Sequence, residues 1–386
     1  MEFNNYVKKR ENQSINEIRS YLTEEISRQI KSAPVNNREC LEKLMESVNK
    51  SGGTTFASRY GLKKDIVFSD SELLSAFERG KDAVKYLQYR YDFKYYPLKH
   101  KLRDYPLVIA VEASGRCNLR CKMCFQKNMD EQEVPQNKQI MSWNTYKKFI
   151  SELDEEHLYS IVFASRGEPL LNPNICRMIR LAKQKGVLDI KLNTNGTLMT
   201  EEMSRQILGS GLDLLVFSVD SVNPERFKKI RGTDLLPILR NIDQFMEIKE
   251  KEFPEARIKV RVAMVLTKEM QEFHEEEIRL AQEYWTGRVD ELSIKTENDF
   301  ASIYIEKDEE LNYSVCSLLW ERVYLWNDGT VNPCDIVHLS SLNLGNINDG
   351  VSIKELWNGE KMDKLRNAHQ CNRKNMKNVC SRCIGY

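Results

Sequence analysis

No stretch of this 386-residue chain comes near the roughly 20 consecutive apolar residues that a bilayer span requires. The opening residues, from Met1 to Gln13, hold no apolar run of the kind a secretory signal needs. Charge of one sign is also missing: the formal net charge is +1, so no global field exists to draw the protein to nucleic acid or to an anionic membrane. Histidine is scarce, with five in all, and there are no internal repeats or low-complexity tracts. These absences predict a cytoplasmic protein without nucleic-acid or membrane partners. Cysteine, in contrast, is plentiful: ten residues in a compartment that keeps thiols reduced. Reduced, clustered cysteines read first as metal ligands and not as disulfides.

Apolar residues make up 41% and charged residues 30%, enough for a sizeable core across two or three structural units. Residues 1–104 form the first expected unit, a helical extension of no evident chemistry. Ile18, Leu22, Ile26 and Ile30 recur at helical spacing, Ser51-Gly52-Gly53 marks a break, and Ser69 with Glu72 offers a capping box before Leu73, Leu74 and Phe77.

From Leu107 the texture changes. Six β-rich runs (Leu107–Val111, Ser160–Ala164, Leu188–Leu192, Leu212–Val219, Ile258–Leu266 and Val289–Ile294) alternate with amphipathic helical stretches. Such alternation implies parallel βα units. Six units fall short of the eight of a closed TIM barrel, so residues 105–295 are expected to form an open, partial (β/α)6 barrel with its site at the C-terminal strand ends. Residues 296–386, where the alternation stops, are expected to form a small α+β domain. That domain holds half of the cysteines.

The first strand-like run leads into Cys117-Asn118-Leu119-Arg120-Cys121-Lys122-Met123-Cys124-Phe125. Three thiols on so short a loop can take one face of a cubane cluster and leave its fourth iron open to a ligand. A zinc knuckle is the competing reading. Zinc sites pair a CxxC with a second CxxC or a His pair, and no His lies near this loop.

This loop, set after the first strand of a partial barrel, resembles the signature of the radical S-adenosylmethionine superfamily over about residues 105–295. In that family a [4Fe–4S] cluster on three cysteines reduces S-adenosylmethionine to a 5′-deoxyadenosyl radical, which abstracts a substrate hydrogen. The resemblance extends to Arg166-Gly167-Glu168-Pro169 after the second strand, where the family has a Gly-Gly-Glu segment holding the cofactor's amino group. Arg166 stands at the first glycine, so Gly167, Glu168 and Pro169 carry the match. Asn193 and Asn195 follow the third strand. Ser218, Asp220 and Arg231 follow the fourth, where the family contacts the ribose or the carboxylate; loop capping and surface pairing are the alternative for these three.

Near the C-terminus, Cys316, twelve residues, Gly329, four residues and Cys334 resemble the opening of a SPASM-type extension, with Asn327-Asp328-Gly329 as a hairpin turn. Cys380 and Cys383 follow. With no further cysteines after them, the pattern resembles the shortened Twitch version, which implies one auxiliary [4Fe–4S] cluster on Cys316, Cys334, Cys380 and Cys383, with Cys371 as a spare. A structural zinc site is again the alternative. The resemblance implies a radical oxidoreductase served by a reductant such as flavodoxin or ferredoxin. The reaction it points to is dehydrogenation, or a related epimerisation, of a sugar, cyclitol or similar small polyol; modification of a ribosomally made peptide is the runner-up. Arg322, Asp328, Asp335 and His338 flank the second cluster, and none is assigned as the base.

Overall fold

The computed structural model describes residues 5–7, 14–51, 66–126, 139–153, 158–297, 315–337 and 339–383. Two compact units emerge, one essentially Val7–Leu102 and the other Arg103–Tyr386 with the short segment Asn4–Tyr6.

The first unit is helical. Helix α1 (Ile15–Ser32) opens on a Ser14/Glu17 capping box and buries Ile18, Leu22 and Ile26. It packs with α2 (Val35–Lys50) and with α3 (Asp70–Glu78), whose N-terminus carries the Ser69/Glu72 box that the sequence predicts. Glu72 also ties α3 to α4 (Ala83–Lys99): its carboxylate accepts from Arg90 Nε at 2.9 Å and from Lys94 Nζ at 2.6 Å. Burial alone would push this carboxyl up, but the two cations prevail and hold it at about 2.

The second unit is built on one open sheet in the order β1-β7-β6-β5-β4-β3-β2-β8-β9-β10. Its centre is six parallel strands in sequence order: β2 (Val108–Val111), β3 (Ser160–Phe163), β4 (Asp189–Thr194), β5 (Leu214–Ser218), β6 (Lys259–Leu266) and β7 (Glu291–Thr296). The connections carry α5 (Trp143–Ser151), α6 (Ile175–Gln184), α7 (Glu201–Leu208), α8 (Pro224–Arg231), α9 (Leu235–Glu252) and α10 (His274–Trp285). One face of the sheet, with Ile109, Ile161, Ile190, Leu215, Val260 and Val323, meets the helices in a continuous apolar core. This is the open partial barrel expected.

Two features go beyond the sequence reading. Residues 1–104 are not wholly helical, because β1 (Asn5–Val7) lies beside β7 at one edge of the sheet. At the other edge, β8 (Arg322–Leu325) pairs in parallel with β2, Val108 opposite Arg322 and Val111 opposite Leu325. A hairpin then adds β9 (Thr330–Asn332), and β10 (Gly345–Asn346) follows. Its turn is at Asn327–Gly329, with Gly329 at φ +88°. The physical reason is edge satisfaction: β2 would otherwise present unpaired backbone groups. Helices α11 (Ile353–Trp357) and α12 (Glu360–Asn372) complete the unit. Among the described residues no helix is long and apolar enough to cross a membrane.

Candidate functional site

At the C-terminal end of β2 the chain turns into the first cysteine loop. Cys117, Cys121 and Cys124 are all partly exposed, and Cys124 N–H donates to the Cys121 carbonyl at 3.0 Å, closing a tight turn. Burial pushes the Cys117 thiol up and the Cys124 thiol to about 11, and the neighbouring thiols add to both, so the three lie within one another's field. Among the described residues no three such groups converge on the point a single metal ion would occupy. A cubane, whose irons take one thiolate each at separate corners, asks for no such convergence.

The loop is held by the segments that follow β3 and β4. Asn195 Nδ2 donates to Asn118 Oδ1 at 2.9 Å, and Asn118 Nδ2 donates to Thr197 Oγ1 at 2.7 Å. Glu168 is buried and accepts three hydrogen bonds, from Thr194 Oγ1 (2.7 Å), Asn195 N–H (2.8 Å) and Leu170 N–H (3.1 Å). Burial pushes its carboxyl up in spite of these donors. Pro169 opens the 3₁₀ turn Pro169–Leu171 that Glu168 caps. Gly167 is sterically required, because a Cβ there would sit 2.2 Å from the Ser114 carbonyl oxygen and 2.4 Å from that of Arg116. Ser165, just before it, has φ +121°, a conformation non-glycine residues seldom adopt.

Arg166, the departure from the family's glycine pair, has a partner the sequence did not suggest. Its guanidinium makes a two-pronged bond to Glu112 at the end of β2, at 2.5 and 2.7 Å, with both side chains fully buried. It lies 3.4 Å from the centroid of the Trp326 ring, and Glu112 also accepts from the backbone and side-chain nitrogens of Asn327. The motif arginine thus links the first cysteine loop to the C-terminal hairpin.

Asp220 is buried with both oxygens engaged, one by Val265 N–H at 2.9 Å and the other by Arg231 Nε at 2.5 Å. Arg231, the last residue of α8, reaches Cys121 Sγ with Nη1 at 3.6 Å. It brings a cation to the cysteine loop. Ser218 ends β5, half-buried. Two buried polar atoms at the strand ends, Asn193 Oδ1 and Ser165 Oγ, have no hydrogen-bond partner among the described residues. Such orphans at the C-terminal ends of β3 and β4 suit a bound polar ligand. On another flank of the loop, Lys122, Met123, Ile230, Thr267 and Glu269 help to line a pocket of about 250 Å³.

The second cysteine set also gathers. Cys316 and Cys383 both act on the Cys334 thiol, which burial first drives well above the usual range. The same two act on Cys380, pushed by burial to about 12. Cys334 and Cys383 pack on one small apolar cluster with Ile336, Val337 and Val379. Arg373 clamps the CxxC loop, donating from Nε to the Cys380 carbonyl at 3.0 Å and from Nη2 to the Cys383 carbonyl at 2.7 Å. Cys316 N–H donates to His369 Nδ1 at 3.4 Å. Neither Arg373 nor His369 carried a signal in the sequence, since both lie on a stretch without motif. Cys371 stands exposed on α12. Of the flanking candidates, Asp328 accepts from Thr330 N–H inside the turn, Arg322 pairs with Glu321, and burial pushes the Asp335 carboxyl up. His338 lies outside the described residues.

Comparison with known proteins agrees with this geometry. Residues 111–280 match the model of the radical SAM superfamily, and residues 316–384 match an iron–sulfur cluster-binding domain, SPASM. A tungsten-containing aldehyde ferredoxin oxidoreductase cofactor-modifying protein of Pyrococcus furiosus is 34% identical over 111 residues, 28% of this chain and 30% of that protein. A probable GTP 3′,8-cyclase of Methanococcus vannielii is 31% identical over 144 residues, 37% of this chain and 45% of the relative. The chain therefore spans less than half of the length of these curated relatives. A solved structure of anSMEcpe with bound AdoMet shares the fold, with a TM-score of 0.52, 19% identity, and coverage of 70% of this chain and 87% of that one. The two matched domains bring S-adenosylmethionine and two [4Fe–4S] clusters as cofactors. With three thiols on the loop after the first barrel strand, and with Cys316 and Cys334 flanking the adjoining hairpin, the chain belongs to the radical S-adenosylmethionine superfamily and carries a C-terminal SPASM-type iron–sulfur domain.

Proposed function

We propose that this chain oxidises a small polyol-like metabolite, a sugar or cyclitol, by radical chemistry, with Cys117, Cys121 and Cys124 holding the S-adenosylmethionine cluster. Cys316, Cys334, Cys380 and Cys383 hold a single auxiliary cluster of the Twitch kind. Bound there, the cofactors supply reductive cleavage of the sulfonium, a 5′-deoxyadenosyl radical that takes a substrate hydrogen, and a redox centre for the electron left behind. The observation that carries this reading is the pairing of β8 with β2: the first thiol loop follows β2, and Cys316 and Cys334 flank the hairpin that β8 begins.

The chain's own residues have definable work in this scheme. Gly167 lets the loop after β3 press against the backbone of the cysteine loop, and Glu168 braces the loop after β4 at Thr194 and Asn195. Glu168, Pro169, Asn193, Asn195 and Ser218 line the cofactor's polar end, while Asp220 holds Arg231 beside Cys121. Full ligation by four thiolates leaves the auxiliary site no open iron, which suits electron transfer and not substrate binding.

The test is anaerobic. Reconstituted protein should hold about eight irons per chain and no zinc. With reductant, S-adenosylmethionine and a panel of polyols and peptides, it should form 5′-deoxyadenosine and an oxidised polyol. Cys124→Ala should form neither. Cys334→Ala should still form 5′-deoxyadenosine and lose the oxidised product; full turnover in that variant would refute the electron-acceptor role. Product from a peptide alone would refute the polyol.

A further inference from the structure

One face of α12 meets both halves of the second cysteine set. Arg366, His369 and Arg373 stand at spacings of three and four, so their side chains share one side of the helix and of the turn that ends it. Arg366 Nε donates to the Leu319 carbonyl at 3.0 Å, on the 3₁₀ turn Ser317–Trp320 that Cys316 opens. His369 accepts from Cys316 N–H at Nδ1. Arg373 reaches the CxxC loop and donates to the carbonyls of Cys380 and Cys383 at 3.0 and 2.7 Å. The reaction proposed above gives Arg373 no task beyond this clamp.

The three basic side chains differ in charge. A ring nitrogen that accepts a hydrogen bond carries no proton, so His369 is neutral. Arg366 pairs with Asp363 at 2.9 Å. Arg373 is 3% exposed, and its two bonds to the CxxC loop go to neutral carbonyl oxygens, which do not cancel its charge. Each of those carbonyls belongs to a cysteine whose sulfur lies a few bonds away, at most about 5 Å. Arg373 therefore holds its cation within about 8 Å of the Cys380 and Cys383 sulfurs. The other charges of the site lie on the hairpin side: Asp335 Oδ1 is 4.0 Å from Cys334 Sγ, and Arg322 acts on Asp335 and pairs with Glu321. A guanidinium buried beside four neutral thiols is a costly arrangement, and beside four thiolates on a cluster it meets the opposite charge.

We propose that Arg373 sets the reduction potential of the auxiliary cluster, its fixed positive charge favouring the form that has accepted an electron. Reduction adds one negative charge at the four cysteines, and a cation held beside them stabilises that form. Removal from water strengthens the effect, because the charge acts through a medium of lower dielectric. Arg373 touches no reacting atom and works through the cluster whose loop it holds. The inference rests on the reading of Cys316, Cys334, Cys380 and Cys383 as ligands of a four-iron electron acceptor. In that reading the substrate carbon, having lost a hydrogen atom, gives up one electron to the cluster while its hydroxyl releases a proton to water, leaving a carbonyl. Arg373 supplies what four thiolates alone do not, a charge that draws that electron.

The experiment is redox potentiometry on the anaerobically reconstituted full chain, followed by electron paramagnetic resonance of the reduced clusters. The Cys117/Cys121/Cys124 triple alanine variant identifies which signal is auxiliary. Arg373→Gln keeps a donor for the carbonyls and loses the charge, so the auxiliary midpoint should fall by at least about 59 mV, a tenfold shift in a one-electron equilibrium. Arg373→Lys keeps the charge and loses the fork, and should stay within about threefold of wild type. The midpoint of the S-adenosylmethionine cluster should move in neither. An unchanged auxiliary midpoint in Arg373→Gln overturns the proposal, and so does an equal fall in both variants, which would make Arg373 a clamp alone. Should Arg373→Gln lose its auxiliary irons, Arg373→Lys decides: a wild-type midpoint upholds the proposal, and a fall of tenfold or more with the charge retained overturns it. Absence of an auxiliary signal from wild type refutes the cluster reading and this inference with it, whereas equal midpoints refute the inference and leave that reading standing.

Discussion

Replacing Arg166 with methionine tests whether the arginine in the motif is a structural brace. The substitution removes both bonds to Glu112 and the stacking on Trp326, while keeping most of the side-chain volume. It leaves the Glu112 carboxylate almost wholly buried, 1% exposed, with Asn327 as its remaining hydrogen-bond partner among the described residues. Breaking one half of a buried ion pair in this way costs about 3–5 kcal/mol. In a unit of this size that lowers the melting temperature by about 7 °C. The double variant Glu112→Gln/Arg166→Met removes both charges and keeps an acceptor for Asn327, so it should recover most of the loss. The assay is a double-mutant cycle by anaerobic urea unfolding of the reconstituted protein, followed by circular dichroism. The cycle should show a coupling of about 2–4 kcal/mol. Single variants costing less than about 1 kcal/mol each, and adding without coupling, would refute the brace.

Two further outcomes follow from particular side chains. Gly167→Ala drives a methyl into two backbone carbonyls that cannot rotate away, so it should cost about 1–3 kcal/mol and weaken S-adenosylmethionine binding by tenfold or more, measured by equilibrium dialysis; wild-type affinity would show that the close approach is not needed. Glu72, held at about 2 against an ordinary value near 4.3, contributes stability that is present above pH 5 and lost as the pH falls towards 2. Unfolding from pH 6 to pH 2 should therefore destabilise wild type by about 3 kcal/mol more than Glu72→Gln, and parallel pH profiles would contradict the ion pairs with Arg90 and Lys94.

Much of the site was legible in the chain because it is local. The loop from Cys117 to Cys124 needs only seven peptide links to bring three thiols together, and the Ser69/Glu72 capping box joins residues three apart. The six strands and most of their helices showed in hydrophobic period alone. Helix α8 did not, because Pro224–Arg231 is mostly charged and buries only Phe227 and Ile230. Arg166 showed as a departure from a glycine pair, and its partner Glu112 lay 54 residues away with no motif to mark it.

The sequence by itself determined the chemistry of the thiols and the class of the fold, since both are written in short spacings and short periods. Only the tertiary structure decided that β8 adjoins β2, that Arg166 meets Glu112, and that Arg373 and His369 attend the second cysteine set. Those relations depend on strand register and on the order of strands in the sheet. Both are set by the packing of the apolar face against its helices, an interaction spread over the whole unit that no local stretch of sequence contains.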